Sequence, residues 1–315
     1  MYSRFFDFIK YSIGTQKNSI YSRTGIFFTL ATQQSLLVLP GLEKIQKAGY
    51  LDPDSDALSI LIMKWYGYTR IMIENNLAVS KRCVELTQIF KEGGFRSCVL
   101  KGQGNALYYS KPELRSSGDI DLWVEGDRDK TVDFVRSKGV DIHDVHLDHA
   151  NAEFFDNVAV EIHFQPSWMY NPFTERKLEK FFKEHRPIQF QLFDRAEGYA
   201  HPSNYFNLVF NLVHINRHIF DEGIGLRQIV DYYYILNVSN VLDRRRAMAQ
   251  LKELKLEKFT ASLMYVMQEV LGLNDELMLC SPIEKIGRRL LDDIMQGGNF
   301  GQYGKNNDQR VREEH

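Results

Sequence analysis

At Gly93-Gly94 the apolar rhythm of this chain changes, and no other feature constrains the fold as much. Upstream, DALSILIMKWYGYTRIMIENNLAVSKRCVELTQIF keeps its apolar residues at threes and fours, the spacing of one helix face, and the two glycines supply the stop. Downstream the interval falls to two. FRSCVL reads as a short strand, GNALYYS as a short helix and KPELRSSG as a loop with turn residues at both ends. A strand over 119–125, a helix from about 128 to 137, and strand-like runs at VDIHDVH, AEFFD and VAVEIHF follow. This mixture predicts an α+β unit, a compact sheet with helices on one side. Beyond Ala200 helical spacing returns in NYFNLVFNLVHINRHIF and GLRQIVDYYYILN, then in the charged stretch 243–258 and in TASLMYVMQEVLGL. Three parts are therefore expected: a helical region over 1–92, divided at Pro40, Gly41 and 49–56; an α+β domain over 93–195; and a helical region over 196–315 ending in a Gly-, Asn- and charge-rich mobile tail.

The stretch RSSGDIDLWVEG, residues 115–126, places Asp119 and Asp121 one residue apart in a strand, where aspartate is depleted. Alternation puts Asp119, Asp121 and Trp123 on one face and Ile120, Leu122 and Val124 on the other, so the second face can be core and the first cannot. VAVEIHF repeats the pattern, with Glu161 and His163 opposite Val160 and Ile162. If these strands are neighbours, three carboxylates converge. Such a cluster repels itself unless divalent cations neutralise it, and oxygen ligands suit Mg²⁺ or Mn²⁺. Upstream, VLKGQGNALYY offers what an anion needs: Gly102 and Gly104 for close backbone approach, a helix start with free N–H groups, and charge from Lys101 and Arg115.

The order of strand, glycine-bearing turn, short helix, Asp-x-Asp strand and later acid-bearing strand resembles the nucleotidyltransferase fold of the DNA polymerase beta superfamily. More narrowly, LKGQGNALYY, RSSGDIDLWV, VEIHF, NLVHINRH and GLRQIVDYYYIL resemble a bacterial family of largely uncharacterised nucleotidyltransferases, over residues 99–236. Where the superfamily's usual turn is Gly-Gly or Gly-Ser, this chain has Lys101-Gly102-Gln103-Gly104, as the narrower family does. The resemblance implies a nucleotidyltransferase-type mixed sheet with helices, flanked by N- and C-terminal helical regions, the last closing over the cleft. It also implies metal-dependent transfer of a nucleoside monophosphate from an NTP, such as ATP, to a hydroxyl acceptor. Asp119, Asp121 and Glu161 would be the catalytic ligands of Mg²⁺ or Mn²⁺. Lys101, Gly102, Gly104, Arg115, Gly118 and His163 would bind the nucleotide, His163 being equally readable as a hydrogen-bonded structural histidine. His214, Arg217 or His218 would cap the site, in competition with a polar stripe on a packed helix.

Lys plus Arg number 39 against 41 Asp plus Glu, which gives no bulk attraction to nucleic acid or an anionic membrane. A small-molecule or sugar-like acceptor is therefore expected over a long nucleic acid, with a protein or tRNA acceptor still open. Three well-separated cysteines fit reduced thiols in the cytoplasm. MYSRFFDFIKYSIG lacks a signal-peptide pattern, and GIFFTLATQQSLLVLPGL falls short of the roughly 20 apolar residues that span a bilayer, so it reads as a buried helix. His143, His146 and His149 fit no zinc spacing and read as loop histidines. His214 and His218 lie one helical turn apart, but Asn216 stands where a zinc-protease motif has Glu. Arg227 and Asp231 are placed to pair at i, i+4, residues 244–246 to face solvent, and the tyrosines at 232–234 to be core. The competing function is a binding or regulatory module on the same fold without turnover, which has no need of a self-repelling acidic cluster.

Overall fold

In the computed structural model of the protein, residues 2–15, 56–116, 118–194 and 197–297 are described. The helix read over 25–42, the divisions at Pro40, Gly41 and 49–55, and the tail beyond 297 lie outside the described residues. Helix α1 (Ser3–Ile13) is followed by the long α2 (Asp56–Glu92), which ends where the glycines stand. Gly94 takes φ +82, a left-handed turn that a side chain disfavours, and the next N–H, of Phe95, returns to the Phe90 carbonyl at 2.9 Å.

Strand β1 (Arg96–Leu100) then opens a five-stranded mixed sheet with β2 (Ile120–Glu125), β3 (Ile142–His143), β4 (His149–Ala152) and β5 (Val160–His163), in the order β1-β2-β5-β4-β3. Only β2 and β5 are parallel. The run AEFFD is not a strand of its own: Ala152 ends β4, and the Phe154 N–H turns back onto the Ala152 carbonyl at 3.1 Å.

Helices cover both sheet faces, where the sequence predicts them on one. Val99, Ile120, Leu122, Val124 and Ile162 pack on Cys83, Leu86 and Phe90 of α2 and on Val132 and Val135 of α4 (Arg128–Ser137). The opposite face was expected to be too acidic for core, yet Cys98, Leu100 and Trp123 on it are buried. Trp123 is the reason. Its ring lies 4.8 Å from Phe190 and 5.6 Å from Phe206, within an aromatic cluster that also holds Phe181 and Phe182 of α5 (Pro172–Gln189). Burying an aromatic side chain of this kind contributes about 1.5–3 kcal/mol, enough to draw helices across that face.

Those helices are α5 and α6 (Asn204–Asp221), after which α7 (Leu226–Val238), α8 (Val241–Glu253), α9 (Glu257–Leu271) and α10 (Glu284–Gly297) complete the described chain. Ser203 and Asn240 cap α6 and α8 through side-chain oxygens that accept helix N–H bonds. Within 244–246 the solvated reading fails for Arg244, which is buried and donates to the carbonyls of Leu236, Ser239 and Glu276. Tyr232 is core, with its hydroxyl on the Leu208 carbonyl. No described helix is long and apolar enough to cross a membrane.

Candidate active site

The parallel pairing of β2 and β5 sets Asp121 beside Glu161 and Trp123 beside His163. Register partners project to the same side of a sheet, so two acids from distant segments meet directly. The antiparallel partner of His163 on β4 is His149, and the two imidazoles stack at 5.7 Å. His149 is thus a sheet residue facing the site, not the loop histidine its spacing suggests.

One imidazole bridges the acids: His163 Nε2 lies 2.9 Å from Asp121 Oδ1 and 3.3 Å from Glu161 Oε2. Ligand atoms of Asp121, Glu161 and His163 all fall within 4.8 Å of one another. Lys101 brings a further positive charge, its Nζ 2.5 Å from Asp121 Oδ1. It does so from φ +41, a left-handed backbone that lysine rarely adopts, at the turn into α3 (Lys101–Ala106).

The charges hold one another in place. Burial disfavours ionised Asp121, but Lys101 and His163 outweigh it and hold the carboxyl below the usual range. Glu161 is lowered by its hydrogen bond to His163, against burial. Burial likewise opposes charge on Lys101 and His163, and the neighbouring carboxylates raise both in spite of it. Asp119 stands apart from the tight group, exposed where it borders the same cavity. Its carboxyl is pushed up to about 6, first by the charge of Asp121 and then by the protein that crowds water away on its cavity side, with Lys101 pulling the other way. Crowding by like charge therefore dominates over loss of water.

These residues line a cavity of about 220 Å³ whose walls also include Gly102, Gly118, Arg115 and Arg227. His214, Arg217 and His218 of α6, for which the resemblance implies a cap and the helical spacing a polar stripe on a packed helix, line the cavity too. Burial, reinforced by the charge of Lys101, drives His214 well below the ordinary histidine range.

Four expectations take a different form. Gly104 does not face a ligand: a Cβ there would come within 2.6 Å of the Val99 carbonyl, so the glycine permits close packing of α3 on β1. The helix start is interrupted, because Gly102 (φ 18, ψ −109) breaks the helical run after Lys101. Arg115 lines the wall, but its guanidinium is held by Asp231 of α7, with Nε 2.9 Å from Oδ1 and Nη2 2.8 Å from Oδ2, while the Tyr109 hydroxyl donates to the same carboxylate at 2.6 Å. Asp231 thus bonds Arg115 where the sequence suggests Arg227. Arg227 instead borders the cavity beside Gly118, its Nη1 3.8 Å from where a Cβ on that glycine would stand.

Sequence reasoning missed His149, Asn105 and Asn211. The last two share a buried amide hydrogen bond of 2.8 Å between α3 and α6 at the cavity floor. Only the strand register could have exposed His149, and only the packing of α6 the asparagines.

A family model described as an uncharacterised nucleotidyltransferase matches residues 34–272, most of the chain. The chain belongs to that nucleotidyltransferase family. The matched span takes in every site residue named above, from Lys101 of the turn to Asp231 of α7. No curated protein matches the chain.

Proposed function

We propose that the protein moves a nucleoside monophosphate from an NTP to the hydroxyl of a small, sugar-like acceptor. The observation that carries this reading is the pairing of Asp121 with Glu161 under one bridging histidine, in a cavity that Asp119 also borders. The donor set fits a divalent cation: two carboxylates and an imidazole have ligand atoms within 4.8 Å of one another, and a third carboxyl borders the same cavity. Asp121 and Glu161, with Asp119 at the mouth, would hold Mg²⁺ or Mn²⁺, which when bound neutralises the triphosphate and lowers the pKa of the acceptor hydroxyl.

The chain's own groups supply position. The acceptor oxygen bonds to the α-phosphorus, the bond from that phosphorus to the bridging oxygen breaks, and pyrophosphate leaves with the electron pair; the hydroxyl proton passes to a carboxylate of the cluster. Lys101, once drawn off Asp121, and Arg227, which borders the same cavity, would meet phosphate oxygens. His163 keeps the two acids in register. Arg115 positions the segment that carries Asp119 through its hold on Asp231.

One observation favours the second reading, a nucleotide-binding module without turnover: Lys101 and His163 already neutralise Asp121, so the cluster does not require metal to exist. Incubating the protein with each α-labelled NTP, Mg²⁺ or Mn²⁺ and cell extract separates the two. Label transfer with pyrophosphate release, lost in Asp119→Ala and Asp121→Ala, is the expected result. Tight NTP binding with no transfer under either metal would establish the module.

A further inference from the structure

Beside the catalytic cavity lies a second one, of about 580 Å³, and His149 lines both. The β3–β4 loop (146–148), the segment 165–169 and the first two turns of α5 build it. Its volume falls within the range of small-molecule sites. On the catalytic side, His149 stacks on His163, which touches both Asp121 and Glu161. The imidazoles of His149 and His163 therefore link a molecule seated in the second cavity to the paired acids.

Two properties of its walls define what fits. They are acidic: Asp148, Glu175 and Glu179 all contribute, Glu175 and Glu179 one turn apart on α5. Asp148 already meets His149 Nδ1 at 3.2 Å and Arg217 at 3.6 Å, and Arg217 also lies 5.5 Å over the ring of Trp168 and lines the catalytic cavity, so Glu179 is the carboxylate left open to a ligand's ammonium group. The walls are also aromatic and soft, with Trp168 braced edge-on by Tyr170 at 4.7 Å, and Met169 next to it. Glu175 holds this wall by accepting from the Met169 N–H at 2.6 Å and the Gln165 amide at 3.0 Å, whereas Glu179 is exposed. An aromatic plate beside carboxylates suits a ring bearing hydroxyls and an ammonium group, and opposes a phosphate.

We propose that this cavity is the acceptor site and that the acceptor is an amino sugar or amino polyol, a reading that rests on the nucleotidyl transfer inferred above. One of its hydroxyls forms the new bond to the α-phosphorus as pyrophosphate departs, and its ammonium group meets Glu179, with Asp148 and Glu175 adding negative charge to the same walls.

Calorimetry on the full chain tests this with three amines (glucosamine, galactosamine and an aminocyclitol), their uncharged parents (glucose, galactose and inositol), and glucose 6-phosphate. At least one amine is expected to bind tenfold or more tightly than both its parent and the sugar phosphate. Glu179→Lys should shrink that ratio severalfold, Glu179→Gln by less, with thermal melting as the check on folding. Equal binding of amine and parent, tighter binding of the phosphate, an unchanged ratio in both variants, or no binding at all overturns the proposal, as does labelling of tRNA in preference to any amine. A separate titration of the unmodified protein with ATP and Mg²⁺ keeps the failures distinct: no nucleotide binding there defeats the transferase reading, while intact binding with no preference for amines defeats only the acceptor assignment.

Discussion

The Lys101 ammonium and the Asp121 carboxylate meet at 2.5 Å in the one place where an incoming cation and an incoming phosphate would each claim one of the two. Under the proposed function, a lysine held there would compete with metal while no nucleotide is present. Lys101→Met should raise the affinity of the nucleotide-free protein for Mn²⁺ roughly tenfold, about 1.4 kcal/mol, and weaken NTP binding. Calorimetry with Mn²⁺ alone reads the first effect. Unchanged or weaker metal binding would show that the contact does not compete.

Asp121→Asn and Glu161→Gln should each lower the initial rate of label transfer by about 10²–10³-fold, the scale of losing one electrostatic partner of a transition state. Thermal melting distinguishes lost chemistry from lost fold. A variant of either residue that keeps full rate would remove the paired acids from the mechanism.

The Arg115–Asp231 pair is buried on both sides, and a charge left without its partner there is costly. Asp231→Asn should destabilise the protein by about 3–5 kcal/mol in urea unfolding, and Arg115→Met in the same chain should recover much of the loss. If the double variant is no better than the single one, the pair is not what holds α7 to the segment carrying Asp119.

Alternation alone placed Asp121 and Glu161 on matching faces of two strands, because side-chain period is a local property. Whether those strands are neighbours is not local: β5 joins β2 by passing over β3 and β4, and that register alone sets Glu161 beside Asp121 and brings His149 to His163. The long-range ion pairs were equally hidden. Lys101 and Arg115 read as phosphate ligands because their partners, Asp121 and Asp231, are distant in the chain. The acidic face reads as wet because alternation does not reveal that Trp123 draws Phe182, Phe190 and Phe206 over it.

His214 gives the fold an acid-sensitive element. Its folded pKa lies well below the ordinary value, because burial and the charge of Lys101 oppose protonation. The unfolded chain therefore binds the proton more readily, and stability present above about pH 6.5, the unfolded value, is lost as pH falls below it. His214→Gln should flatten the decline of unfolding free energy between about pH 6.5 and 5. An identical decline in the variant would assign it to other groups.

Gly104→Ala forces a methyl group to 2.6 Å from the Val99 carbonyl, a backbone atom with little freedom to move. The expected cost is about 1–3 kcal/mol of stability, as for other overpacked sites. Denaturant titration measures it; a neutral substitution would mean that β1 and α3 separate easily.

Trp123 lies two residues beyond Asp121 on the same strand face, wedged among rings supplied by the later part of the chain. Excising residues 93–195 would present that indole to water and strand the Arg115 guanidinium without its counter-ion. The segment that bears the carboxylates and the helices that follow it should thus melt as one cooperative body.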